Sequence, residues 1–207
     1  MQPVGPEVCC GHNSCAIIQI MKIGRLLLRL AVGGFFIGHG TQKLFGWFGG
    51  NGLEATGKGF EYLGLRPGKR HALAAGISEA GGGTLIALGA ATPVAASVLT
   101  ATMLTAINRV HLKNGPWAGN GGYEYNVVLI AAVLALAETG PGSPSVDAAL
   151  GIERRGARWA ALALLAGAIG AAGAHAIAER TPAPEPVAEP EAEAEAQPEP
   201  SEQTAAA

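Results

Sequence analysis

Apolar positions along the chain gather into five blocks, each closed by polar or turn-forming residues. A bilayer core of ~30 Å takes about 20 helical residues at ~1.5 Å each. The blocks run from Ile23 to about Leu44, His71 to Ala91, Pro93 to about Leu112, Tyr123 to Ala137, and Trp159 to Ala178. The fifth has no Asp, Glu, Lys or Arg anywhere along it. None alternates with a period of two, so a membrane β-barrel is excluded and helices remain as the spanning structure. Pro93 suits a helix start, where its missing amide proton costs nothing.

What lies between the blocks organises the chain. The first two are joined by about 26 residues in which Leu53, Phe60, Leu63 and Leu65 alternate with Lys58, Glu61, Arg66 and Lys69. That pattern predicts a short helix on the membrane surface. The turn at Thr92-Pro93 makes blocks two and three antiparallel neighbours. KNGPWAGNGG forms a loop whose Trp117 suits the headgroup layer. The predicted architecture is all-α: a transmembrane four-helix bundle core at 21–140, a linker at 141–156 able to hold a short helix, and a fifth transmembrane helix at 157–179. Gly34 with Gly38, then Gly76, Ala80 and Gly83, then Gly167, Ala171 and Ala174, are the small residues that let membrane helices approach closely. The fifth helix is expected to pack either on the bundle or on another copy in a homo-oligomer.

Composition agrees with a membrane protein: 49% of the 207 residues are hydrophobic, 14% are charged, and mean hydropathy is +0.28. The formal net charge of −2 hides an asymmetry, because seven glutamates follow Arg180 and the chain before them carries 14 bases against nine acids. Residues 180–207, rich in Pro, Ala and Glu, have almost nothing to bury and are expected to be a disordered acidic tail. Residues 1–20 hold all three cysteines, Cys9, Cys10 and Cys15. Their spacing with His12 lacks the separated pairs of a structural zinc site, so no metal site is expected. The segment reads as an extension ahead of a natural start at Met21.

Each helix reverses the one before, so position in sequence converts to depth. His39, Gln42 and Lys43 end block one, and Glu79 lies eight residues into block two, ~12 Å from its start. Asn108, Arg109 and His111 end block three; Tyr123, Glu124, Tyr125 and Asn126 open block four. All fall in the same half, while the opposite half is nearly bare apart from Arg29. The i, i+3 and i, i+4 spacings, with Thr102 and Thr105, suggest one polar-lined cavity. The candidate pocket is His39, Gln42, Lys43, Trp47, Glu79, Asn108, Arg109, His111, Tyr125 and Asn126, with His39 and Glu79 as candidate proton-exchanging groups. A carboxylate at that depth costs ~3 kcal/mol and must face the bundle, pair with a base or hold a proton. The structural reading of the same residues stands beside this one: Asn108 and Asn126 as interhelix hydrogen-bonders, Trp47 and Trp117 as interfacial anchors, Lys43 and Arg109 as snorkelling cations. No cysteine lies in the helical blocks, and no phosphate loop or dinucleotide fingerprint is present. Two histidines, His39 and His111, are too few to argue for haem. Nothing points to nucleic acid.

Taken together, GHGTQKLFGWFGG at 38–50, the Glu79 helix and GPWAGNGGYEYNVVLIAAVLAL at 115–136 resemble the DoxX family of small bacterial four-helix membrane proteins. The resemblance covers Met21 to Glu138 and leaves out the first 20 residues, the fifth helix and the tail. It implies a multi-pass protein of the bacterial plasma membrane with a cytoplasmic N-terminus. It also implies an association with quinone-linked oxidoreduction, thiosulfate:quinone chemistry or quinone and catechol response, with His39, Gln42, Lys43, Glu79, Tyr125 and Asn126 as family-like residues.

Two functions compete. In the first, the chain is a membrane subunit that receives a quinone, exchanges a proton through His39 or Glu79, and contacts the ring through Trp47 or Tyr125. It then needs a redox partner protein as electron donor. In the second it is a non-enzymatic scaffold or a small-solute or proton pathway, and Glu79 tunes helix packing. Basic residues do not orient the chain, since six on one side face seven on the other.

Overall fold

A computed structural model describes residues 12–182, with side chains from Ile23 onward. The expected disordered tail beyond residue 182 and the cysteine pair at Cys9 and Cys10 lie outside the described residues. Within them the chain is helical, with no strand. Its helices are α1 (His12–Phe45), α2 (Gly52–Tyr62), α3 (Gly68–Leu88), α4 (Thr92–Ala106), α5 (Glu124–Thr139), α6 (Val146–Ala149) and α7 (Ala157–Arg180). A π-helical turn, Ile107–His111, prolongs α4. By length and composition α1 over Ile23–Phe45 and α7 can cross a membrane.

Helices α1 and α3 cross with their backbones nearly touching. A Cβ on Gly33 would lie 2.6 Å from the Gly83 carbonyl oxygen, and one on Gly83 would lie 2.7 Å from the Gly33 carbonyl oxygen. Seven residues on, Gly40 packs on Ala80 and Gly76 in the same way. The strip Gly76, Ala80 and Gly83 is thus an interface, as its pattern predicts. Gly34 and Gly38 are not, since nothing lies within 4 Å of a Cβ at either. The seam on α1 follows every second turn, Gly33 and Gly40, rather than the i, i+4 pair.

The core joins Val32 and Phe36 of α1, Ile86 of α3, Ala95, Ala96, Leu99 and Met103 of α4, and Leu129, Val133 and Leu136 of α5. Ala163 of α7 enters the same cluster. Helix α7 lies directly on α4, where Gly167 faces Thr100 and Gly170 faces Ala101. Within the chain α7 thus packs on α4.

The end where α1 begins is not bare. Arg29, 2% exposed, donates to four carbonyls: Ile86 (3.1 Å) and Ala87 (2.7 Å) at the end of α3, and Pro141 (3.0 Å) and Pro144 (2.7 Å) after α5. The last carbonyls of a helix have no partner within it, and a buried cation there satisfies them. Next to it Asp147, the acid of α6, caps α4 by accepting from the amides of Ala91 (2.9 Å) and Thr92 (3.3 Å). The linker at 141–156 is therefore a clasp that ties α1, α3 and α4 together.

Candidate functional site

Glu79 shares the buried face of α3 with Ala72, Gly76 and Gly83, and is 3% exposed. The glycines bring α1 close, and Lys43 reaches across from its last turn to place Nζ 2.5 Å from Glu79 Oε2. The same ammonium donates to the His39 carbonyl at 3.4 Å. Glu79 Oε1 makes no hydrogen bond to the described residues. One carboxylate and one ammonium thus meet where either alone would be costly.

Beside the pair opens a cavity of about 450 Å³, a volume in the range that holds small-molecule ligands. Lys43 and Glu79 form one wall, and His71, Ala75 and Ser78 extend it along α3. Thr102, Thr105, Arg109 and His111 come from α4 and its π turn. Phe60, Leu63 and Leu65 of the α2 segment close one side, and Gly170 and Ala174 of α7 another. The threonine hydroxyls are spent on their own helix: Thr102 donates to the Val98 carbonyl (3.1 Å) and Thr105 to the Ala101 carbonyl (2.9 Å). Arg109 Nε donates to His175 Nδ1 at 2.8 Å, which joins α4 to α7 at the cavity. His71 Nε2 donates to the Arg66 carbonyl (3.1 Å) and His111 Nδ1 to that of Gly121 (2.8 Å). No cluster of three or more His, Cys, Asp or Glu suited to a metal ion occurs among the described residues.

Of the ten residues expected here, Lys43, Glu79, Arg109 and His111 line the cavity and the other six do not. His39 is exposed on α1, where Nδ1 donates to Gln42 Oε1 (3.1 Å) while Gln42 Nε2 donates to the Phe48 carbonyl (3.2 Å). These two polar residues therefore hold the aromatic turn at the end of α1 rather than the cavity. Trp47 is 57% exposed and stacks at 5.2 Å on Phe45. Asn108 points outward, because an i, i+3, i+6 series walks round a helix by roughly 60° per step. Arg109, seven residues from Thr102, returns to within about 20° of the Thr102 face, and Val110 in the π turn lines the cavity beside it. Tyr125 is exposed, and Asn126 is buried against α4, its Nδ2 donating to Met103 Sδ at 3.4 Å. Helix α5 lies behind α4, so α2 and α7 supply the walls that it was expected to supply. His71, Ser78 and His175 were missed, although His175 lies near the same end of the molecule by the same reckoning of depth.

The DoxX family model matches residues 24–112, from the start of the apolar part of α1 to the end of the π turn. A protein of Bacillus subtilis (strain 168) named "Putative oxidoreductase CatD" is 35% identical over 115 residues, 56% of this chain and 79% of that protein. No solved structure matches the chain. The matched stretch carries Lys43, Glu79, Arg109 and His111 and stops short of His175. With two candidate membrane spans and these matches together, the chain is a helical membrane protein that belongs to the DoxX family.

Proposed function

We propose that this chain is a membrane subunit of a quinone-linked redox system and that the cavity beside Lys43 and Glu79 receives the quinone ring. In this reading all five long helices cross the bacterial plasma membrane, and the exposed Trp47 and Trp117 at one end and Trp159 at the other sit at the two interfaces. The observation that carries the reading is a mostly apolar cavity with one buried carboxylate on its wall. The name of the Bacillus relative points the same way.

The residues fit such a guest. Phe60, Leu63, Leu65 and Ala75 offer apolar surface to a ring, and Ser78, Lys43 and Arg109 offer donors to its oxygens. A quinone takes up two electrons and two protons on reduction. Lys43 holds Glu79 Oε2, which leaves Oε1 to relay both protons, one after the other, from water to the ring. His39 is too far round α1 for that role, and the electrons come from a partner protein.

Photolabelling tests the reading. A short-chain azidoquinone added to the reconstituted protein is expected to label the α3 and α4 segments around Ser78 and Thr102. Unlabelled quinone should compete, and Ser78→Trp should abolish labelling by filling the cavity. Labelling spread evenly over the lipid-facing surface, with no competition, would sink the proposal. A scaffold role is favoured by a different observation, that the Lys43–Glu79 pair stands at the glycine crossing of α1 and α3. Glu79→Gln separates the two. It should keep the ring bound yet lose partner-dependent quinone reduction; full complementation of a deletion strain by this variant supports the scaffold instead.

A further inference from the structure

The charges around the cavity do not balance. Lys43 and Glu79 neutralise one another. His71 and His111 each spend a ring N–H on a backbone carbonyl. Arg109 is left over: Nε is committed to His175, and its two terminal nitrogens have no acceptor within hydrogen-bond or ion-pair distance among the described residues, Glu179 one turn further along α7 acting on His175 without pairing with Arg109. His175 receives that bond on Nδ1, so its imidazole is neutral and adds no second cation. A guanidinium beside apolar walls is costly unless a counter-charge accompanies it.

The planar fork is also held in place. With Nε held by His175 the guanidinium cannot rotate freely, and its terminal N–H groups are ready for a second, charged acceptor. Gly170 and Ala174 of α7 line the same cavity as Arg109. We infer that, among lipid-soluble rings, the cavity selects one bearing an acidic oxygen, which Arg109 binds while His175 acts as its positioning residue. This rests on the reading of the cavity as a quinone site. His175 lies on α7, beyond the stretch matched by the family model, so the selectivity rests on a helix outside that stretch.

A matched pair of ligands tests it on the full chain in phosphatidylcholine nanodiscs: a 2-hydroxy-3-alkyl-1,4-naphthoquinone, whose hydroxyl is acidic and ionised at neutral pH, and its 2-methoxy ether, which cannot ionise. Calorimetric titration against empty discs corrects for partition into lipid. The hydroxy compound is expected to bind the wild-type chain roughly tenfold more tightly or better, as a charge-assisted bond to Arg allows. Arg109→Gln should erase the preference. His175→Ala should weaken it, and His175→Gln, whose amide oxygen can accept from Arg109 Nε, should restore it. Equal affinity for the two ligands in the wild-type chain overturns the inference and leaves the quinone site standing. Saturable binding of neither overturns both. A preference that survives Arg109→Gln in folded protein overturns the assignment to Arg109.

Discussion

Arg29 and Glu79 are both buried charges on membrane-length helices, and the molecule satisfies them differently. Glu79 is bonded by an ammonium, whereas Arg29 donates only to backbone carbonyls, those of Ile86 and Ala87 at the end of α3 among them, with the Asp147 carboxylate near but not bonded to it. Replacing Arg29 by Met keeps the volume and leaves four buried acceptors with fewer partners. We expect Arg29→Met to lose about 3 kcal/mol of stability, in line with breaking a buried charged network, read as a lower midpoint of thermal unfolding in detergent. Arg29→Lys should recover part of it, and a midpoint unchanged in Arg29→Met would show that the clasp contributes nothing. Residue-level reading of the sequence went as far as charge and depth could take it. It flagged Lys43, Glu79, Arg109 and His111, because a polar side chain at helix depth is visible as a breach of the apolar pattern. It could not show that the partners of Arg29 are carbonyls, or that Asp147 caps α4 from a stretch that reads as linker, since backbone acceptors leave no trace in residue type. It was misled at His39 and Gln42, which satisfy one another and the turn after α1.

At the scale of elements the informative residues are glycines. The helices, the antiparallel turn at Thr92-Pro93 and the short helix α2 are legible because apolar blocks, Pro and Gly punctuate the chain plainly. Which glycines touch is not. A pair four apart is the usual sign of a close crossing, yet the α1 seam repeats after seven residues, which keeps one face toward α3 over two turns. This gives a contrast between neighbours. Gly33→Leu drives a side chain into the Gly83 carbonyl and should cost about 2 kcal/mol or more through separation of α1 from α3. Gly34→Leu points to open space and should change the thermal midpoint little, or raise it through better helix propensity. Equal damage from both variants would place the crossing elsewhere. The π turn is the other feature hidden from sequence; Arg109 reaches the cavity by its seven-residue spacing from Thr102, and Val110 of the turn lines the wall beside it.

For the molecule as a whole the order of helices makes a prediction that charge counting cannot. Helices α1, α4 and α7 run one way and α3 and α5 the other, so the aromatic turn after α1, the cavity and the end of α7 share one end, and the α3–α4 turn lies at the opposite one. Basic residues give no orientation, and the structure explains part of this silence. Arg29 is buried on carbonyls, Lys43 is paired with Glu79, Lys69 is paired with Glu54, and Arg109 is bound to His175. Side chains engaged in this way hold the fold together rather than act as free loop charges. Reporter fusions after Asn51, after Ala90 and at the C-terminus should therefore report one side, the other side and the first side again. If the N-terminus is cytoplasmic, as the family implies, the fusions after Asn51 and at the C-terminus read outside and the one after Ala90 reads inside. The cavity then opens nearer the outer face, where Trp47, Trp117 and the exposed Tyr62 would meet the outer headgroups. Finding the Asn51 and C-terminal reporters on opposite sides would mean that an odd number of the later helices fails to cross. The five-span arrangement would then have to be given up, and the placing of Glu79 at membrane depth with it if the Asn51 and Ala90 reporters fall on the same side.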